Sequence, residues 1–124
     1  MARLQHVSSP FWPGGQDEVR QFYGRLLGFR EIPVPATLDW SRLVWFAAGD
    51  GDLELHFFEG TPDPAHRRHL SLAVDDLEET HRRLETAGHA PFAAPPIHNR
   101  PRFYCRDPFG NLIEFTTILG SYEG

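Results

Sequence analysis

Leu112-Ile113-Glu114-Phe115 ends the second half of the chain much as Leu53-Glu54-Leu55-His56-Phe57 ends the first, and these two stretches decide the fold. In both, apolar residues alternate with polar ones, the period-two pattern of a strand with one greasy face and one polar face. Working back from each, the same elements recur in the same order. Asp50-Gly51-Asp52 turns the chain into the first stretch, and Asp107-Pro108-Phe109-Gly110-Asn111 turns it into the second. Further back lie probable strands at 43–48 and 102–106, each preceded by a proline-containing loop and a weaker strand, the first of these at 29–33. Before those come two helix patterns. Val19, Phe22, Tyr23, Leu26 and Leu27 form an apolar stripe ending at Gly28, and Leu77, His81, Leu84 and Ala87 form another ending at Gly88. Asp76 and Glu79 mark the second helix start as a capping box. Strands at 4–9 and 68–74 open the two halves, and the tail after Gly120 reads as frayed.

Each half is therefore βαβββ. The repeat of about sixty residues occurs only twice, so it marks a duplicated unit and not a solenoid. The expected fold class is α+β: a single domain over 1–124, with one module at about 1–60 and another at about 66–120. A chain of 124 residues is long enough to bury a core without staples. The net charge of −5 argues against nucleic acid or an anionic membrane as partner. Cys105 is the only cysteine, so no intrachain disulfide forms. No apolar leader or membrane-length run is present, and a cytoplasmic location is expected.

The duplication brings together His6, Glu54, His69 and Glu114. His6 precedes Glu54 by 48 residues and His69 precedes Glu114 by 45; Gly28 to Glu54 and Gly88 to Glu114 are both 26. Strand parity puts these side chains on the polar faces, opposite Val7, Leu55, Leu70 and Ile113. Singly, each is an ordinary strand histidine or exposed carboxylate. Together, at repeat-equivalent positions, two imidazoles and two carboxylates suit one divalent ion (Ni, Zn, Mn or Fe) with positions left open for substrate. His56 shares the parity of Glu54 and competes with it as fourth donor; the equal spacing from Gly28 and Gly88 favours Glu54 and leaves His56 lining the pocket. Arg102, Tyr104 and Arg106 share one parity on the preceding strand, where Arg102 and Tyr104 are candidate substrate contacts for an anion. His66, His89 and His98 fall in loops and read as solvent-facing. His81 reads as packed on its helix, and Trp12, Trp40 and Trp45 as core or dimer contacts.

The chain resembles the vicinal oxygen chelate superfamily, the glyoxalase, bleomycin-resistance and ring-cleavage dioxygenase group, over nearly its whole length. The likeness rests on Leu4-Gln5-His6-Val7, Phe22-Tyr23-Gly24-Arg25-Leu26-Leu27-Gly28-Phe29, Arg68-His69-Leu70-Ser71-Leu72-Ala73-Val74-Asp75-Asp76-Leu77, and Arg106-Asp107-Pro108-Phe109-Gly110-Asn111-Leu112-Ile113-Glu114. It implies two βαβββ modules, often paired in a homodimer, enclosing a metal that chelates vicinal oxygens of a small-molecule substrate. It maps ligands onto His6, His69 and Glu114, and in glyoxalase I members onto Glu54 as well. The implied reaction is that of a glyoxalase-like lyase or isomerase: proton transfer beside a carbonyl through a chelated enediolate, with Glu54 and Glu114 as catalytic carboxylates. The alternatives are an Fe(II) ring-cleavage dioxygenase using His6, His69 and Glu114, and a non-catalytic bleomycin-resistance-like binding protein. The sequence offers no assured counterpart of the glutathione-binding residues of glyoxalase I, and extradiol dioxygenases are usually longer.

Overall fold

The computed structural model describes residues 1–121, and it divides into two units, residues 1–62 and 63–124. The expected fraying after Gly120 lies, from residue 122 on, outside the described residues.

In the first unit, β1 (His6–Phe11) leads through a loop to α1 (Gln16–Val19), which continues into a π-helical segment, Arg20–Leu26. β2 (Arg30–Ile32), β3 (Leu43–Ala47) and β4 (Glu54–Glu59) follow. The sheet order is β1-β4-β3-β2, with β1 parallel to β4 and the other neighbours antiparallel. The expected helix over 17–27 is thus two kinds of helix. Leu27 N–H bonds to the carbonyl of Phe22, five residues back. A wider turn reduces the angle between successive side chains, so Phe22 and Tyr23, adjacent in sequence, are both buried. Gly28, at φ 84°, ends the segment, and Phe29 N–H closes back on the carbonyl of Tyr23. Tyr23 lies against Phe57 and Phe46 of the sheet, with ring centroids 4.3 and 6.3 Å away. Phe11, Val19, Val44 and Leu55 complete this core.

The second unit repeats the order: β5 (His69–Ala73), α2 (Leu77–Thr86), β6 (Phe92–Ala93), β7 (Arg102–Arg106) and β8 (Leu112–Thr116). Its sheet runs β5-β8-β7-β6, again with the first pair parallel. Asp76 caps α2 by accepting from Glu79 N–H, as the sequence predicts. Leu84 of α2 and Phe103, Cys105, Ile113 and Phe115 of the sheet are buried. Cys105 is fully enclosed, and burial pushes its thiol up to about 11.

Two βαβββ units with four-stranded sheets are therefore present, as the duplication requires. Burial alternates along β3, β4, β7 and β8, with Leu55, Phe57, Ile113 and Phe115 buried and Glu54, His56 and Glu114 partly exposed. Among the described residues no helix is long and apolar enough to cross a membrane.

Candidate functional site

The polar face of each sheet gathers the candidate residues around the central pair of strands. In the first unit His6 lies beside Glu54 in the parallel pairing of β1 with β4, and Ser8 lies beside His56. In the second unit His69 lies beside Leu112, and it is Ser71 that lies beside Glu114. Both carboxylate-end donors can thus be placed by register. The residue opposite the second position after the opening histidine is Glu114 in one unit and His56 in the other. The antiparallel side agrees: the central residue of β7, Tyr104, pairs with Glu114, and the central residue of β3, Trp45, pairs with His56. The equivalence with Glu114 that equal spacing assigns to Glu54 belongs to His56.

Around His6 and His56 the contacts are tight. The His56 ring lies between Trp45, at 3.6 Å between centroids and 3° between planes, and His6, at 4.1 Å and 17°. Its Nε2 is 2.8 Å from Glu54 Oε1. With that nitrogen donating to the carboxylate, the neutral ring carries its lone pair on Nδ1. Glu54 is held below its ordinary carboxylate range, chiefly by this bond, against the opposing effect of desolvation and with help from Gln5. His6 Nδ1 is 2.8 Å from Gln5 Oε1, and Gln5 is itself fixed through its amide to the carbonyl of Asp52. A proton on Nδ1 leaves the His6 lone pair on Nε2.

The second unit builds its pair differently. His69 Nδ1 meets the carbonyl of Arg67 at 3.2 Å, which again frees Nε2, and that nitrogen is 3.6 Å from Glu114 Oε1. Glu114 accepts from Arg102 Nη1 on Oε1 at 2.8 Å and from Ser71 Oγ on Oε2 at 3.1 Å. Arg102 also donates from Nη1 to the Tyr104 hydroxyl and from Nε to the carbonyl of Pro95. Burial works against the Arg102 charge, but Glu114 and Tyr104 outweigh it, and its pKa is raised. Arg106, on the same parity, is exposed at the strand end and donates to the carbonyl of Gly110.

Among the described residues no group of three or more His, Cys, Asp or Glu side chains is arranged to hold a metal ion. The chemistry of the donors nonetheless fits one. An imidazole that binds a metal through one nitrogen ordinarily donates the other N–H to a carbonyl or carboxylate, which fixes tautomer and ring orientation. His6, His56 and His69 all have such an acceptor in place: Gln5 Oε1, Glu54 Oε1 and the carbonyl of Arg67.

The model of the Glyoxalase/Bleomycin resistance protein/Dioxygenase superfamily matches residues 3–115. The chain belongs to this superfamily. Among solved structures, a glyoxalase family protein from Bacillus anthracis is 32% identical, with a TM-score of 0.82 over 95% of this chain and 96% of that one. A glyoxalase/dioxygenase from Nostoc punctiforme is 23% identical, with a TM-score of 0.77 over 94% and 90% of the two chains. An antibiotic-binding protein from a Streptomyces species is 22% identical, with a TM-score of 0.76 over 95% and 97%. The last two likenesses concern the fold. No curated protein matches the chain.

His81 packs its ring on Phe103 and pairs with Glu85. His98 is exposed as expected. His66 and His89 keep only part of the expected exposure. His66 is half-buried and its Nδ1 accepts from Arg68 N–H. His89 is half-buried behind the end of α2, where burial lowers its pKa. The sequence reading missed Gln5 and Ser71, which orient His6 and Glu114, and it placed Trp45 in the core or at an interface. The signal available for Trp45 was its parity, which puts it opposite His56 once β3 and β4 are paired.

Proposed function

We propose that the chain is a metal-dependent lyase or isomerase of the glyoxalase type, acting on a small oxygenated metabolite by moving a proton beside a carbonyl. The observation that carries this reading is the matched register of two donor pairs, His6 with His56 and His69 with Glu114. His6 and His69 would offer Nε2, His56 Nδ1, and Glu114 a carboxylate oxygen, a set suited to Ni, Zn, Mn or Fe(II). A divalent ion held there would supply Lewis acidity for proton removal beside a carbonyl.

The two carboxylates divide the remaining work. Glu114 has both oxygens engaged by Arg102 and Ser71, so it anchors. Glu54 stays ionised and is steadied through one oxygen by His56, so it takes the proton from substrate carbon and returns it. The proposed assembly is a homodimer, the commonest closed symmetry; Leu4, Trp12 and Trp40 offer exposed apolar surface for it.

A second reading, a non-catalytic small-molecule binding protein like the antibiotic-binding Streptomyces relative, is favoured by the ion pair that already neutralises Glu114. One experiment separates the two. The purified protein is reconstituted with Ni, Zn, Mn and Fe(II), analysed for bound metal, and assayed on α-oxoaldehyde adducts, catechols and fosfomycin. The proposal expects one ion per chain and turnover of an adduct or another proton-transfer substrate. Ring cleavage of a catechol would make it the Fe(II) dioxygenase, and absence of binding with every ion would refute the metal reading in favour of the binding protein.

A further inference from the structure

Arg102 is a partly buried guanidinium, with its side chain 11% exposed, and its hydrogen bonds leave part of the fork unused. Nε donates to Pro95 and Nη1 donates to Tyr104 and Glu114. Among the described residues Nη2 makes no hydrogen bond and no enclosed side-chain nitrogen or oxygen lacks a partner, so the Nη2 hydrogens face accessible space. Water meets those hydrogens in the free protein, and a ligand with matching acceptors can take its place. The surroundings indicate what that ligand is. The guanidinium carbon is 5.6 Å from the centroid of the Tyr104 ring, and the half-exposed Phe92 ring lies 5.6 Å from that of Tyr104. A cationic fork beside two partly exposed aromatic rings recognises a carboxylate or phosphonate attached to a flat apolar body.

We infer that Arg102 binds the anionic group of the substrate, and that the substrate class is an aromatic or similarly apolar acid carrying vicinal oxygens, such as a 2-hydroxy or 2-oxo acid. This deepens the proposed function and rests on it. The charges argue the same way. Glu114 is the carboxylate that balances Arg102. Once a divalent ion shares the Glu114 charge, the face carries excess positive charge, and an anionic substrate restores the balance where a neutral one does not. A purely structural ion pair explains the Nη1 bond but gives Nη2 no role.

The test uses mandelate and its neutral amide, mandelamide, with phenylphosphonate as a second anion. Each is titrated into the full chain with and without Zn(II), while NMR follows the Arg102 Nε–H. The wild type is expected to bind mandelate at least about tenfold more tightly than mandelamide, the scale of one charge-assisted hydrogen bond. Arg102→Lys, which keeps the charge but not the fork, reduces that preference, and Arg102→Gln abolishes it. Because Arg102→Gln strands a partly buried Glu114, the double variant Arg102→Gln with Glu114→Gln serves as the folded control, and it too loses the preference. Equal affinity for acid and amide in the wild type, a preference that survives in the variants, or no shift of the Arg102 Nε–H with either anion at tens of millimolar (about the weakest binding worth reading) overturns the inference. Zn(II) binding is read on the same samples. A preference for the acid without Zn(II) binding refutes the metal reading and leaves the anion site standing, whereas Zn(II) binding without the preference does the reverse.

Discussion

Replacing Asp107 by alanine removes the group that ties together the turn between β7 and β8. Its carboxylate is 5% exposed. Oδ1 accepts from Phe109 N–H and Asn111 N–H, both at 2.9 Å, and Oδ2 accepts from the Asn111 side-chain amide at 2.8 Å. Phe109 is 2% exposed, so water reaches its N–H poorly when this acceptor goes, and a buried donor left unmade costs about 1–3 kcal/mol. Asn111 is more open and recovers part of its loss, which brings the expected destabilisation to about 2–4 kcal/mol. At roughly 2 cal/mol/K per residue of unfolding entropy, Tm should fall by about 8–15 °C. Asp107→Asn keeps one oxygen on the two backbone donors and should cost about 1 kcal/mol, the worth of a single hydrogen bond. Thermal and urea unfolding followed by circular dichroism measure both. The same turn sets the register that puts Tyr104 opposite Glu114, so the alanine variant should also bind metal more weakly. A cost below about 1 kcal/mol for Asp107→Ala, or equal damage from the two variants, would refute the claim that these bonds hold the turn.

Cys105 should be unreactive to thiol reagents in the native protein at pH 8 and should react once urea exposes it, since its thiol is raised from 9.0 to about 11 by burial. The sign follows from linkage: the unfolded thiol ionises first, so its stabilising contribution is intact below pH 9 and is lost as pH climbs towards 11. Asp76→Ala removes the α2 cap and should cost about 1 kcal/mol in urea unfolding, with no effect on metal binding. Glu54→Gln should retain metal and lower turnover by roughly 10²–10⁴-fold, the usual contribution of a positioned acid–base group; retained turnover would remove Glu54 from the proton transfer.

The repeated order of elements was legible because period two and period 3.6 switch at the same places in both halves, and Gly28 and Gly88 end both helix patterns. The π-helical segment was not, since an apolar stripe over Val19 to Leu27 fits either winding. The donor equivalence was misread for a more instructive reason. Gly28 to Trp45 is 17 residues against 16 from Gly88 to Tyr104, and Trp45 to His56 is 11 against 10 from Tyr104 to Glu114. Each connection in the first unit is one residue longer, and the two differences add to two, which restores strand parity. A shift of two leaves every side chain on its expected face, so alternation could not reveal it. Only pairing with β1 and β3 does. Gln5 and Ser71 were invisible for a related reason: their roles depend on neighbours that register alone supplies.

The central proposal is that His56, and not Glu54, is the metal donor that accompanies His6 in the first unit. X-ray absorption spectroscopy of the zinc-loaded protein counts imidazole ligands directly. The account predicts three imidazoles and one carboxylate in the wild type, two imidazoles in His56→Ala, and no change in Glu54→Gln. Two imidazoles in the wild type, unaltered by His56→Ala and accompanied by loss of an oxygen ligand in Glu54→Gln, would contradict it.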